Sequence, residues 1–248
     1  MEYPKDYREF IKANAWDELR KPENESDQAK GLPAPPAQKA YPEGAKLVDL
    51  VAPDEITVGS APLREVIGRR RSRRRYTQEP LSLEELSFLL WATQGVTDGA
   101  GAGRAVPSGG NRHTFETYLI VNRVTGVEPG LYRYLPMEHK LLFLGSDPKL
   151  PEKVVLACRG QAFVGEAAVV FIWTTIPYRM EWRYTVVANK VIAQDSGHLC
   201  QNLYLASEAI GAGTCAIGAY DQKKMDALLE VDGEDEFVIY AAPVGKIG

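Results

Sequence analysis

The sequence predicts an α+β fold with a central mixed or antiparallel sheet flanked by helices. Helical and strand patterns are scattered along the chain, without the repeating βα unit of a doubly wound sheet. Two short strand patterns, residues 131–134 and 140–144, are joined by "LPMEH", which is typical of a hairpin. Residues 185–210 carry the longest apolar helical pattern, so we expect a central helix there.

The composition is that of a globular chain. The 248 residues are 45% hydrophobic and 25% charged, enough for one core or a core with an arm, and the net charge of −4 argues against a general affinity for nucleic acid or anionic membrane. The three cysteines form no CxxC pair, the chain begins without a signal-peptide pattern, and its longest apolar run is too short to span a bilayer. We therefore expect a cytoplasmic protein without disulfides, a metal site, or a nucleic-acid or membrane partner.

Residues 1–58 differ from the rest of the chain and are rich in proline and glycine, which predicts an extended N-terminal arm. Such arms wrap either their own domain or a partner subunit. Apolar residues at helical spacing predict one short helix over residues 6–20 of this arm. Residues 59–248 form the predicted folded domain.

The first helix of that domain is predicted to begin after Ser60, which we expect to cap it, with Pro62 in the first turn. Leu63, Val66 and Ile67 would form its apolar face before Gly68.

The second helix has clearer boundaries. Ser82 and Glu85 make a capping box, and leucines at positions 86, 89 and 90 form a buried stripe. Gly95 is expected in the left-handed conformation that ends many helices. The remaining predicted elements are a strand over 117–122, the hairpin, a helix over 148–158, a buried strand over 167–174, the central helix, a helix over 221–230 and a strand over 237–242.

Arginine occupies six of the seven positions from 69 to 75, with Ser72 between them. The segment is either a solvated basic face, a localisation or nucleic-acid tract, or a phosphate clamp, because guanidinium groups bind phosphate bidentately. Ser72 and the arginines that alternate around it would form the clamp. Arg69, Arg73 and Arg75 would be free to face solvent or a partner subunit.

Two glycine-rich segments are further candidates. In "PSGGNRH", residues 107–113, glycines permit close approach of an anion or a flat ring, although the segment could equally be a flexible surface loop. In "GAGTCAIGAYD", residues 211–221, small residues permit packing against a planar ligand, and a plain helix C-cap and turn is the alternative. There is no Walker A motif, and "GAGAGR" lacks the strand-then-helix context of a dinucleotide fingerprint.

Histidines and cysteines give no catalytic group. His198 follows Asp195 by three residues, and we expect it to be buried and hydrogen-bonded, while His113 lies in the polar loop and could touch a ligand. Cys215 is a conceivable nucleophile with no relay residue near it in sequence. The catalytic residue is therefore unknown at this stage.

Taken together in their order, several segments resemble the FMN-dependent nitroreductase family. They are "RRSRRRYTQEPLSLEELSFLLWATQG", "PSGGNRHTFETYLIV", "GLYRY", "DSGHLCQNLYLASEAIGAGTCAIGAYD" and "APVGK". The resemblance covers residues 60–246 and is closest to the SagB-type, or thiazole/oxazole-forming, dehydrogenases. It implies a nitroreductase-like α+β homodimer, with the long central helix and two FMN sites at the subunit interface.

The resemblance also implies which residues bind FMN. The first group would contact the phosphate, the ribityl chain and the N1/O2 edge of the ring, and consists of Arg70, Arg71, Ser72 and Arg74. The second group would come from the other subunit, and consists of Pro107, Ser108, Gly109, Gly110 and Asn111. The third group would lie near the isoalloxazine, and consists of Ala216, Ile217, Gly218 and Ala219. Lys246 would lie near the phosphate.

The function implied by the resemblance is reduction of nitro, quinone or related small-molecule acceptors with NADH or NADPH, by a ping-pong scheme in which the flavin performs the chemistry. A guanidinium beside N1/O2 would stabilise the charge of the reduced ring. One alternative is a SagB-like dehydrogenase that oxidises a peptide or specialised metabolite. Lys190 and Tyr184 lie where that branch has active-site residues, and we carry no role over to them. The second alternative is a non-enzymatic polyanion-binding protein.

Overall fold

The computed structural model describes residue 8, residues 10–98 and residues 103–248. Its helices are α1 (Ala15–Glu18), α2 (Leu63–Arg69), α3 (Leu83–Gln94), α4 (Leu150–Ala157), α5 (Phe163–Glu166), α6 (Tyr178–Tyr184), α7 (Ala188–Ala209) and α8 (Gln222–Leu229). Its strands are β1 (Leu47–Asp49), β2 (Phe115–Val121), β3 (Gly130–Leu135), β4 (Lys140–Gly145), β5 (Val169–Thr175), β6 (Ala212–Thr214) and β7 (Phe237–Lys246).

The described strands form one seven-stranded sheet in the order β1-β4-β3-β2-β5-β7-β6. Every neighbouring pair is antiparallel, and β3 and β4 form the predicted hairpin. The predicted α+β class is therefore confirmed, with an antiparallel rather than a mixed sheet.

Both faces of the sheet are covered. One face packs against α3 and α7 around Phe171 and Trp173, and the other packs against α4, α5 and α8 around Ile120 and Ile172. Because β2 and β5 are buried on both faces, all seven residues of each strand are buried. This burial explains the continuous apolar run from Val169 to Trp173 in β5, whereas β2 also buries the polar residues Glu116 and Thr117.

Helix α3 begins as predicted and ends differently. The Glu85 N–H donates to Ser82 Oγ (3.1 Å), and the Ser82 N–H donates to Glu85 Oε2 (2.9 Å), which completes the capping box. Gly95 has φ −63° and ψ 146°, so the prediction of a left-handed residue is wrong. A side chain is excluded there for another reason, since a Cβ on Gly95 would lie 2.4 Å from Trp91 Cδ1.

Helix α2 differs from its prediction at both ends. Its N-cap is Pro62 with no side-chain hydrogen bond, so Ser60 does not cap it, and the helix runs through Gly68 to Arg69. Val66 is buried, whereas Leu63 and Ile67 are 62% and 57% exposed. The predicted apolar face is therefore wrong, because only Val66 among these three side chains is buried against the rest of the protein.

The central helix predicted over residues 185–210 is confirmed as α7, which begins three residues later than predicted. Thr185, with φ 37°, ends α6 and begins a 3-10 turn before α7 starts at Ala188. The sequence prediction omits α6, whose residues lie before the predicted central helix. It also gives no sign of α5, β1 and β6, which have three or four residues each.

Strand β7 is four residues longer than predicted. The sequence suggests an end before Pro243, because proline cannot donate a ladder hydrogen bond. Pro243 nevertheless pairs with Val170 in the middle of the sheet, and its carbonyl accepts hydrogen bonds from Tyr76 Oη (3.2 Å) and Thr214 Oγ1 (2.8 Å).

The arm lies against its own chain. Strand β1 extends the sheet edge beside β4, and the Gln28 N–H donates to the Trp182 carbonyl (2.9 Å). Of the predicted helix over 6–20, Ala15–Glu18 is α-helical and residues 8, 10 and 11 have 3-10 conformation, while residues 1–7 and 9 lie outside the described residues. Positions 99–102 of the glycine-rich loop also lie outside them. Within the described part of the chain, no helix combines the length and apolarity needed to cross a bilayer.

Candidate functional site

The arginine segment, residues 70–74, runs along the sheet edge beside β6. The Arg73 N–H donates to the Thr214 carbonyl (2.9 Å), and Ser72 pairs with Thr214 in a parallel bridge. Gly213 permits this approach, because a Cβ there would lie 2.4 Å from Arg73 Cγ. The backbone that presents these arginines is therefore fixed to the sheet.

Tyr204 of α7 connects the arginine segment to the turn after β6. Its Oη accepts a hydrogen bond from the Ala216 N–H (2.8 Å) and lies 3.0 Å from Ser72 Oγ, to which it can donate its own proton. The Arg70 guanidinium lies over the Tyr204 ring, 5.3 Å from its centre. One side chain thus holds three of the predicted site residues. The sequence does not single it out, because a tyrosine inside an apolar helical pattern is typical of a core residue.

The arginines differ in their partners. Arg71 Nη1 donates to two backbone carbonyls of its own segment, at 2.8 and 3.0 Å. Arg73 Nε lies 3.4 Å from Glu208 Oε1, so the expectation that Arg73 is free is wrong. The side chains of Arg70 and Arg74 form no ion pair with any described residue. Ser72 is therefore flanked in the sequence by two arginines, Arg70 and Arg74, whose charges have no ion-pair partner among the described residues.

The turn after β6 presents small residues at the surface. Ile217 is buried and exchanges two backbone hydrogen bonds with Ala241 of β7 (2.7 and 3.3 Å), which anchors the turn. Gly218 and Ala219 are exposed, and a Cβ on Gly218 would meet no atom within 4 Å. The space over Gly218 is therefore open to a flat group.

Lys246 is the last residue of β7 and is mostly buried. Its Nζ forms an ion pair with Glu85 Oε1 and donates to the Ile210 carbonyl (3.2 Å). The charge of this lysine is thus already offset by the capping-box glutamate, a partner that no sequence pattern indicates.

The loop over residues 107–111 is anchored to a different part of α7. Ser108 Oγ donates to Asp195 Oδ2 (2.7 Å), and the Gly109 N–H donates to the same oxygen (3.0 Å). Burial raises the pKa of Asp195, although these two hydrogen bonds oppose the shift. Gly110 and Asn111 are left-handed, with φ 56° and 58°.

The two histidines near this loop differ from their predictions in opposite ways. His113 is buried, and its Nε2 lies 2.7 Å from Asn111 Oδ1. His198 is 46% exposed with its Nδ1 3.6 Å from Asp195 Oδ1, so the prediction that it is buried is wrong.

The structure brings together two of the three predicted groups and separates the third. Residues 70–74 lie with residues 216–219, joined by Tyr204, whereas residues 107–111 are held by Asp195. The two anchors, Asp195 and Tyr204, are nine positions apart on α7. This spacing places them about 14 Å apart along the helix axis and on opposite sides of it. Within one chain, the loop and the arginine segment therefore use opposite faces of α7.

Other classes of site find little support among the described residues. They contain no group of three or more His, Cys, Asp or Glu side chains that could hold a metal ion. Cys215 is 2% exposed, and its Sγ contacts the Ala216 carbonyl at 3.7 Å. This burial argues against a cysteine nucleophile.

A model of the nitroreductase family matches residues 67–246. MJ1384 of Methanocaldococcus jannaschii, a protein named as a nitroreductase, is 34% identical over 184 residues, which cover 74% of this chain and 90% of that protein. A crystal structure from Ralstonia eutropha JMP134, also titled as a nitroreductase, has a TM-score of 0.69 at 27% identity and covers 88% of this chain and 99% of that one.

A third relative has a more specialised name. The trifolitoxin-processing protein TfxB of Rhizobium leguminosarum bv. trifolii is 29% identical over 167 residues. The match covers 61% of this chain but only 44% of TfxB, so more than half of that protein has no counterpart in the aligned part.

Proposed function

This chain belongs to the nitroreductase family, and from that membership we propose that it is an FMN-dependent oxidoreductase. It takes electrons from NADH or NADPH and delivers them to a nitro compound, a quinone or a related small acceptor in a ping-pong scheme. The observation that carries the proposal is the pair of guanidinium groups, Arg70 and Arg74, that flank Ser72 without a carboxylate partner among the described residues.

The donor set fits FMN. A phosphate needs several donors and positive charge, which Arg70, Arg74 and the Ser72 hydroxyl supply from a backbone fixed to the sheet. A flat ring needs an open surface without protruding side chains, and the space over Gly218 meets that need. Lys246 adds a cation whose charge is balanced by Glu85.

In this proposal the protein binds and orients, and bound FMN would supply the hydride and electron transfer itself. The Tyr204 ring supports the Arg70 guanidinium, and the Tyr204 hydroxyl sets the distance between Ser72 and Ala216. A guanidinium held at the N1/O2 edge of the ring stabilises negative charge that develops there, and its orientation is fixed before the reaction.

The proposed site is completed by a second subunit. Residues 107–111 and residues 70–74 use opposite faces of α7 within one chain, so both can face one ligand only if one of them comes from another copy. A homodimer packed along α7 would satisfy this requirement, since a two-fold axis presents the same helix from both chains.

Flavin binding tests the cofactor. We expect purified protein to be yellow, or to become so with FMN, and Arg74→Ala to weaken FMN binding by about 10- to 150-fold, as loss of a charge-assisted hydrogen bond worth about 1.5 to 3 kcal/mol predicts. Arg75→Ala is the matched control, because this exposed neighbour is outside the proposed contacts. Protein that stays colourless with FMN would refute the proposal, and equal effects of the two variants would refute the assigned clamp.

Mixed dimers test the shared site. Arg74→Ala and Asn111→Ala homodimers should each carry two damaged sites. In a mixed dimer, a shared arrangement places both lesions in one site and leaves the other intact. Unfolding and refolding equal amounts of the two variants together makes about half of the dimers mixed, so about a quarter of all sites should bind flavin normally. No restoration would indicate that each site lies within one chain.

The relationship to TfxB favours a second candidate, a SagB-like dehydrogenase that oxidises a peptide or specialised metabolite. Such an enzyme binds FMN through the same residues but need not react with reduced nicotinamide. Flavin that is bound but not reduced by NADH or NADPH under anaerobic conditions would favour this candidate. The polyanion-binding alternative is opposed by the net charge of −4 and predicts no flavin uptake.

A further inference from the structure

A large cleft lies on the sheet face opposite α7. It encloses a cavity of about 730 Å³ between arm residues 39–42, strands β2 to β4 and helices α4 and α8. This volume is within the range of about 300 to 1,000 Å³ that is typical of small-molecule sites. Among its described lining residues there is none of those proposed to hold FMN. We call it the rear cleft.

A cluster of charged side chains, most of them buried, lies beside the rear cleft, and two of its members, Arg133 and Lys39, line the cavity at its deep end. Its members are Arg104, Arg133, Arg179, Lys39, Glu116 and Glu236. Lys39 also interacts electrostatically with Asp232, so four cations face three carboxylates and one positive charge is in excess. Because charge is costly to bury without a partner, an additional anion would stabilise this cluster.

Backbone carbonyls of the arm satisfy only part of this excess. Arg104 Nη2 donates to the Ala37 carbonyl (2.7 Å), and Arg133 Nη2 donates to the carbonyls of Lys39 and Ala40 (both 2.9 Å). Carbonyl oxygens are dipoles and carry no net charge. The cluster therefore keeps its excess charge after the arm has docked.

Arg133 is the member with unused hydrogen-bonding capacity toward the cleft. Its side chain is 4% exposed and lines the cavity. Its buried Nε has no hydrogen-bond partner and lies 3.9 Å from Glu116 Oε2, and its Nη1 donates to no described residue. Lys39, which also lines the cavity, has a side chain that is 42% exposed. A carboxylate in the cleft can reach both cations.

The rest of the cavity is mainly apolar. Its wall is formed by Leu131, Leu142, Leu144, Leu150, Leu156 and Leu228. At the rim, Lys153 and Lys224 are matched by Asp147 and Glu230, so the rim adds no net charge. The uncompensated charge lies at the deep end alone, with hydrocarbon surface leading outward from it.

We propose that the rear cleft binds a small amphipathic carboxylate, with its carboxylate on Arg133 and Lys39 and its apolar body along the leucine wall. Guanidinium and carboxylate groups form two parallel hydrogen bonds, which suits the free donors of Arg133. The site is separate from the proposed flavin site, and the proposal does not depend on the flavin chemistry.

Octanoate is a suitable probe, and octan-1-ol is its neutral counterpart. Calorimetric titration of the full chain should give saturable binding of one octanoate per chain, with no matching heat for octan-1-ol. The result should be the same with and without FMN, which separates this outcome from the fate of the proposed function. Absence of saturable octanoate binding, or equal binding of the alcohol, would overturn the proposal.

A variant locates the binding to the cleft. Replacement of Arg133 risks unfolding, since the side chain is buried in the charge cluster. Leu144→Glu is safer, because Leu144 is 44% exposed, and it should weaken octanoate binding by about tenfold or more through like-charge repulsion. Met137→Glu is the matched control, since Met137 is 40% exposed and is not among the lining residues. Unchanged affinity in Leu144→Glu would contradict the assignment.

Discussion

Tyr204→Phe is the most informative single substitution in the candidate site. It removes one oxygen atom and keeps the ring over which Arg70 lies. Without that oxygen, the hydrogen bond from the Ala216 N–H, at 2.8 Å, and the hydrogen bond with Ser72 Oγ, at 3.0 Å, cannot form. The arginine segment and the turn after β6 then lose their side-chain link and are joined only through the backbone contacts with Thr214.

The expected size of the effect follows from the burial of those groups. An unsatisfied buried N–H costs about 1 to 3 kcal/mol, and water can replace part of the loss here because Ala216 is half-buried and Ser72 is exposed. We therefore expect about 1 to 1.5 kcal/mol. If FMN must order the released segments as it binds, its affinity falls by about five- to twelvefold.

Fluorescence titration of FMN against the two proteins measures this change. Tyr178→Phe is the matched control, since it removes a hydroxyl that donates to Asp27 (3.0 Å) far from the site in sequence. Affinity in Tyr204→Phe equal to that of the wild type would refute the argument that Tyr204 positions the arginine segment.

Three further predictions concern the arm and the loop over residues 107–111. Removal of residues 1–41 should lower the free energy of unfolding by about 3 to 5 kcal/mol more than removal of residues 1–34, since only the longer deletion takes away the carbonyls that serve two buried arginines; coincident urea curves would contradict this. Burial raises the pKa of Asp195 above its ordinary value of 3.8. The protonated Asp195 carboxyl therefore contributes its full stabilisation below pH 3.8, and this stabilisation is lost as the pH rises through the raised pKa. The unfolding free energy of the wild type, relative to Asp195→Asn, should fall over that pH range, and a flat difference would oppose the assignment. Gly109→Ala places a Cβ 2.3 Å from Val191 Cγ1 and should cost about 1 to 3 kcal/mol, which Val191→Ala should partly restore in thermal unfolding; no rescue would mean that the clash is relieved elsewhere.

The parts of the fold that the sequence predicts are those fixed by local chemistry. The Ser82 and Glu85 capping box is a pattern of two residues three apart, and the structure forms both of its hydrogen bonds. The hairpin of β3 and β4 likewise follows from a short connection. By contrast, Pro243 lies within β7, where its carbonyl accepts hydrogen bonds from Tyr76 and Thr214, and no local pattern indicates this placement.

In the candidate site, too, the features set by local sequence are predictable and those set by distant contacts are not. Arginine clustering and glycine-rich turns are visible in the sequence, so the segments that hold Ser72 and Gly218 could be identified as candidates. The partners that position the arginine segment are not visible, because Tyr204 and Glu208 contact it across more than 130 residues of chain. The charge excess in the rear cleft has the same origin, since its members are far apart in sequence and meet only in the folded sheet.

Anaerobic addition of NADH and then NADPH to flavin-loaded protein, followed by a quinone or nitro acceptor, tests the proposed function most directly. We predict that at least one reduced nicotinamide bleaches the flavin absorbance and that the acceptor restores it. Protein that takes up no flavin, or bound flavin that neither nucleotide reduces, would contradict an NAD(P)H-linked flavin oxidoreductase.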